Sequence, residues 1–295
     1  MKGKTCIITG ATAGIGLEVA ARLGALGARL VLVGRDPAKG AAALAQLRAR
    51  VPGLAAEMHY ADLSLLAEVR RLAPLLAETA PRIDVLLNNA GAIFYRREET
   101  REGLERTFAL NHMGYFLLTA LLRENLLTSA PARIINVASG AHRKASLDFD
   151  DLQGVRRYDG WTSYCRSKLA NILFTRELAR RLAGSGVTAN CLHPGFVASS
   201  FGDNNRGAFR LALGLAKRLI AIPVAKGAET PVYLAGSPEI ADAMAQPTDC
   251  TNWVPRFPEI EKKPCSFDEY MTGNCRPCSG SSSFEKIWFI IFTNG

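Results

Sequence analysis

The stretch "SYCRSKLAN", Ser163 to Asn171, sets a tyrosine, Tyr164, four residues before a lysine, Lys168. On a helix four residues make about one turn, roughly 6 Å of rise, so the two side chains share a face. A free phenol titrates near about 10 and is a poor base at neutral pH. An ammonium about 4 Å away is worth roughly 4 kcal/mol at an effective dielectric of 20, or up to about three pKa units. That is enough to bring a phenol into the working range of general acid/base chemistry. The plain alternative is a surface pair, and a motif this short is compatible with both readings.

A second stretch narrows the chemistry. "TGATAGIG", Thr9 to Gly16, follows the strand-like "KTCIIT" directly and opens a helical pattern. Gly10 allows a tight strand-to-helix turn, Gly14 lets backbone N–H groups approach a pyrophosphate, and Gly16 lets helix and strand pack closely. The positive end of the helix then faces the phosphates, with Thr12 and Ile15 in the same loop. Its alternative is a plain glycine turn. The second strand ends "VLVGRD". A free ribose 2′-hydroxyl calls for a carboxylate there, and a 2′-phosphate for an arginine. Asp36, before Pro37, reads as a helix N-cap. Arg35 is left to meet the phosphate, so NADP(H) is expected over NAD(H); the bland reading of Arg35 is a solvated loop charge.

The elements that would position these residues alternate along the chain. Candidate strands are "KTCIIT", "ARLVLVG", "AAEMHYA", "IDVLLNN", "ARIINVAS" and "VTANCLHP", with helical stretches between them. Near-continuous apolar strands separated by helices predict an α/β fold, a doubly wound parallel sheet of the Rossmann type, with the ligand crevice at the strands' carboxyl ends. One domain is expected over residues 1–240, with a substrate lid at about 200–222. An irregular Cys-, Pro- and Ser-containing tail follows over 241–295. Cys275 and Cys278 in that tail have knuckle spacing, but Cys250 and Cys265 do not match it; free thiols are the expected reading and no metal site is assigned.

Bulk properties exclude some classes. The 295 residues are 48% hydrophobic and 21% charged, which suits a sizeable core. The net charge of +9 is scattered along helices, without a base-reading motif, so a nucleic-acid partner is not expected. No leader or membrane anchor is expected: "MKGKTCIITG" has no apolar h-region, and the longest apolar run near either end, "IWFIIF", is far short of the roughly 20 residues that span a bilayer. With three of seven cysteines in predicted core elements, a reducing, cytoplasmic setting is expected.

Taken together, the chain resembles the short-chain dehydrogenase/reductase superfamily, and within it the retinol-dehydrogenase-like branch. The matching features are "TGATAGIG", "ADL" at Ala61 to Leu63, "NNAG" at Asn88 to Gly91, Asn111 in "LNHMG", Ser139 in "INVASGAH", "YCRSK", and "HPGFVAS" from His193. They fall in family order over about residues 4 to 200. The resemblance implies an NADP(H)-dependent oxidoreductase interconverting a lipophilic alcohol and its aldehyde or ketone. It implies Tyr164 as general acid/base beside Lys168, Ser139 on the substrate oxygen, and Asn111 holding a water that links Lys168 to solvent. Asp62 and Leu63 would flank the adenine, and Asn89, Ala90 and Gly91 the middle of the cofactor. Pro194, Gly195, Val197 and Ser199 would touch its nicotinamide end.

"FRLALGLAKRLIAI", Phe209 to Ile222, would cover the substrate mouth in such an enzyme; it could equally pack on the body or rest on a membrane surface. A homo-oligomer is the family's usual state. The C-terminus departs from the family, since nothing after Ala245 reads as a seventh strand. A second class therefore stays open: a catalytically impaired NADP(H)-binding regulatory or scaffold protein.

Overall fold

The computed structural model describes residues 1–199, 201–202, 218 and 221–240. Six strands form one sheet in the order β3-β2-β1-β4-β5-β6, all neighbours parallel. They are β1 (Thr5–Thr9), β2 (Arg29–Gly34), β3 (Ala56–Tyr60), β4 (Val85–Asn88), β5 (Ala132–Val137) and β6 (Val187–Leu192). This is the expected doubly wound sheet. Side chains alternate between its faces. Ile7, Val31, Val33, Leu86 and Ile134 belong to one apolar layer, and Cys6, Ile8, Leu30, Leu32, Leu87 and Ile135 to the other. Both faces are buried, which is why the strands read as continuous apolar runs.

Helices α3 (Leu66–Thr79), α4 (Arg106–Phe108), α5 (Gly114–Leu121), α6 (Arg123–Thr128) and α7 (Gly160–Arg181) cover the first face; α1 (Gly14–Ala25), α2 (Pro37–Arg50) and the helix Glu229–Gly236 cover the second. Asp36 caps α2 by accepting from the Lys39 N–H, with Pro37 in its first turn, as the sequence predicts. The sheet order reverses between β1 and β4, where two chain segments leave in opposite directions and open a crevice. Most of the expected lid lies outside the described residues. So does the 241–295 tail with Cys250, Cys265, Cys275 and Cys278.

Candidate active site

The crevice floor is built by two loops that touch. Gly10 has φ +67°, and a Cβ there would sit 2.7 Å from the Ala90 Cα. At Gly16 a Cβ would fall 2.4 Å from the Gly10 carbonyl oxygen and 2.6 Å from Asn89 Nδ2. Neither position has room for a side chain. Thr9 joins the loops: its Oγ1 accepts from the N–H groups of Asn89 (2.9 Å) and Ala90 (3.1 Å). Asn89 answers by donating from Nδ2 to the carbonyl oxygens of Thr9 (2.9 Å) and Gly10 (3.2 Å). Gly14, at φ +56°, faces Ser199 across the cradle, and Thr12 lies against Gly34. Ile15 packs on the second apolar layer. Thr9 opens "TGATAGIG", but the glycine spacing gives it no role; its signal is the hydroxyl that closes the strand.

At the other end of the cradle Arg35 is 58% exposed, with Nη1 3.5 Å from Asp62 Oδ2. Arg106 approaches the same carboxylate at 3.8 Å. Burial would raise the Asp62 pKa, but two hydrogen bonds from Ser64 and the two guanidinium groups hold it below the usual carboxylate range. Leu63 beside it is buried.

Helix α7 carries the pair. It starts hard against the loop after β4, where a Cβ on Gly160 would lie 2.6 Å from the Phe94 carbonyl oxygen, and Asp159 caps it by accepting from the Thr162 N–H at 2.7 Å. Tyr164 and Lys168 are buried on the same face. Ser139, just past β5, accepts from the Ala141 N–H at 3.2 Å and hydrogen-bonds Tyr164. Lys168 Nζ donates to the Val137 carbonyl oxygen at 2.8 Å. The rings of Trp161 and Phe201 lie 5.8 and 5.2 Å from that of Tyr164.

The ammonium is not what governs the phenol: Nζ lies 5.9 Å from the Tyr164 ring centroid, and burial dominates. Burial pushes Tyr164 up to about 12, against the downward pull of the Ser139 hydrogen bond. The same burial takes Lys168 down to about 7. Desolvation sets both, because the two groups leave water together and no carboxylate among the described residues follows them in.

Asn111 sits in a wide π turn, Ala109–Met113, a feature that often marks functional sites. Its side-chain amide accepts from the Ala92 N–H and donates to the Ala92 carbonyl oxygen, both at 2.9 Å, and donates to Ser167 Oγ at 3.0 Å. Its carbonyl oxygen accepts from Asn171 Nδ2 at 2.8 Å. Asn111 thus ties α7 to the loop after β4. Ser167, given no role from sequence, is part of that tie. At Gly91 a Cβ would lie 3.5 Å from Lys168 Nζ and 3.2 Å from Asn111 Oδ1, so a bare backbone faces the ammonium. Val197 is buried and pairs with Ile222 in an isolated parallel bridge, which sets the course of Pro194 to Ser199, where Gly195 has φ +83°. Cys165, next to Tyr164, is buried and its thiol is pushed up to about 11, as befits packing. Among the described residues no cluster suited to a metal ion is found.

An NAD(P) dinucleotide fits this arrangement: glycines without room for a Cβ line the floor, a helix N-terminus points at it, and buried proton-bearing groups stand at one end. The sequence model of the short chain dehydrogenase family matches residues 4–208. Human retinol dehydrogenase 13 is 39% identical over 264 residues, covering 88% of this chain and 80% of that protein. Human retinol dehydrogenase 14 is 42% identical over 261 residues, covering 81% and 76%. Among solved structures, a short chain dehydrogenase from Burkholderia cenocepacia in complex with NADP aligns at TM-score 0.64 and 25% identity, covering 82% of this chain and 94% of that one. The chain belongs to the short-chain dehydrogenase family, in its retinol-dehydrogenase-like branch, and is an NAD(P)-dependent oxidoreductase acting on CH-OH groups and their carbonyls.

Proposed function

We propose that the protein interconverts a lipophilic alcohol and its aldehyde or ketone with NADP(H), Tyr164 carrying the proton. The observation that bears most weight is the buried group of Tyr164, Ser139 and Lys168 at the carboxyl end of β5, beside the glycine cradle. When bound, the nicotinamide supplies or accepts the hydride. With a pKa of about 12, Tyr164 is protonated throughout the neutral range and acts as the acid toward a carbonyl oxygen. Ser139 Oγ accepts from the Ala141 N–H and bonds Tyr164, and its own proton can turn to that same oxygen as charge develops. In the oxidative direction Tyr164 must first lose its proton, so alcohol oxidation rises with pH. Lys168, titrating near 7, favours the deprotonated phenol while charged and gives an activity limb close to neutrality.

An apolar substrate is supported by Trp161 and Phe196, 43% and 39% exposed beside the site, by the Phe201 ring, and by the names of the relatives. NADP(H) over NAD(H) is supported by exposed Arg35 at the end of β2, where Asp36 is spent on the helix cap. A homo-oligomer and a reducing, cytoplasmic setting belong to the same reading; the second is supported by the free buried thiols of Cys6 and Cys165. No helix among the described residues is long and apolar enough to cross a membrane.

The test is NADPH consumption with a panel of hydrophobic aldehydes. Tyr164→Phe should lower kcat roughly 10²–10⁴-fold with NADPH binding retained; equal turnover by the two proteins refutes the role. Arg35→Ala should weaken NADPH and leave NADH binding nearly unchanged, and an unaltered preference refutes that assignment.

A further inference from the structure

Beside the reacting groups lies a second phenol that the mechanism above does not use. Tyr115, on α5, is 1% exposed, and its hydroxyl has no hydrogen-bond partner among the described residues. Lys168 Nζ stands over its ring, 5.5 Å from the centroid, and 5.9 Å from that of Tyr164. A negative charge on Tyr164 disfavours ionisation of Tyr115, so the two phenols lie within electrostatic reach of each other. One ammonium is therefore flanked by two phenols.

Packing does not account for the hydroxyl. A buried O–H without a partner is rare in native proteins, and phenylalanine would fill the same volume without that cost. Lys168 is under-used in the same way: it has three donors, and among the described residues its acceptor is the Val137 carbonyl oxygen. Two under-satisfied polar groups side by side in a buried place are what an ordered water typically serves.

We propose that Tyr115 is a positioning residue for Lys168: its hydroxyl and the ammonium share a buried water, and through that water Tyr115 keeps the ammonium protonated and fixed beside Tyr164. The charged and titratable groups facing Lys168 are few. Tyr164 faces it from α7, Tyr115 from α5, and His112 from the π turn. Burial holds His112 neutral, down to about 4, against the raising effect of its Asn171 hydrogen bond. No carboxylate among the described residues offsets the burial of Lys168, so a neutral dipole is what remains to favour its charged form. Asn111, which the resemblance would have hold a water here, spends its side-chain amide on Ala92 and Ser167, and its carbonyl oxygen accepts from Asn171 with a second lone pair to spare.

This inference rests on the proposed roles of Tyr164 and Lys168, and the experiment separates the two. The pH dependence of kcat and KM for aldehyde reduction is measured for the wild type, Tyr115→Phe and Tyr164→Phe, with thermal unfolding alongside. Deleting one oxygen that bonds no described residue leaves the packing intact, so Tyr115→Phe folds. It should keep the wild-type KM and an equal or higher Tm. Its near-neutral limb should move down by about half a pH unit or more, and kcat should fall roughly threefold to tenfold near pH 7.5. A Tyr115→Phe limb and kcat matching the wild type, with Tyr164→Phe inactive, overturn this inference alone. A lower Tm with an unmoved limb also overturns it, since the hydroxyl would then be purely structural. Full turnover by Tyr164→Phe overturns the proposed function itself.

Discussion

Glu105 offers a sharp test of how α7 is held. The residue is wholly buried, and its carboxylate gathers donors from three directions. Oε1 takes the Thr107 N–H at 2.8 Å and stands 3.0 Å from the Tyr158 hydroxyl; Oε2 takes the Phe108 N–H at 2.7 Å and the Ser163 hydroxyl at 2.7 Å. Its own N–H donates to Gln153 Oε1 at 2.6 Å. Ser163 immediately precedes Tyr164, so the clamp reaches the acid/base residue through one peptide. Glu105→Gln keeps the shape and removes the charge. Whichever way the new amide turns, its NH2 meets a backbone N–H, of Thr107 or of Phe108, because each carboxylate oxygen serves one of them. One buried donor goes unpaired at about 1–3 kcal/mol, and weaker neutral bonds elsewhere add about 1. A loss of roughly 2–4 kcal/mol lowers Tm by about 4–16 °C for a protein of this size. Calorimetry at pH 7.5 reads the stability and steady-state kinetics reads the site; kcat should fall more than KM rises. Ser163→Ala, which leaves Phe108 on Oε2, should cost about 1 kcal/mol. A Glu105→Gln protein melting within about 2 °C of wild type would refute the clamp.

Two further outcomes follow from the same geometry. Gly16→Ala drives a methyl group to 2.4 Å from a backbone oxygen that cannot yield, so NADPH affinity, measured by fluorescence titration, should drop tenfold or more along with Tm; unchanged binding would mean the loop is looser than the structure shows. Lys168→Met should raise stability near pH 7 while abolishing turnover. The lysine's folded pKa of about 7 lies below its unfolded value near about 10.4, so the unfolded chain binds more protons between them, and wild-type stability climbs with pH across that window and is lost as pH falls through 7. The climb should be missing in the variant; the opposite shift of Tyr164 acts only above about pH 10.

The sheet and the cradle were legible because their signals are local. β-branched runs such as "RLVLVG" and "ARIINV" declare buried strands, and glycines after the first strand declare a close approach of backbone. Spacing alone also put Tyr164 and Lys168 on one face, where the structure has them. What spacing does not carry is burial. From spacing the pair is two charges in a medium of moderate dielectric, whereas α5, the π turn and β5 shut both away from water. The residues missed fall in the same class. Thr9 and Ser167 lie inside motifs whose spacing gives them no role, Glu105 and Tyr115 lie in none, and each acts on a partner distant in sequence: Thr9 on Asn89, Glu105 on Ser163, Tyr115 beside Lys168, Ser167 on Asn111. Such partners become visible only once the sheet order is known.

That difference bears on the chemistry. A phenol merely lowered by a neighbouring ammonium would be partly ionised at rest, and equally exposed to water in both directions of the reaction. The buried arrangement instead keeps Tyr164 protonated and leaves Lys168 close to its own titration point. The protein thereby stores an unfavourable burial in the lysine rather than in the tyrosine. Any cationic or hydrogen-bonding group that later enters the crevice acts on a pair already far from its solution values. On this account the switch between proton donor and acceptor is set by what occupies the crevice. The pKa governing oxidation, measured in the presence of cofactor, should then lie well below about 12. An oxidation limb that stays there with cofactor bound would show that the crevice has no such leverage.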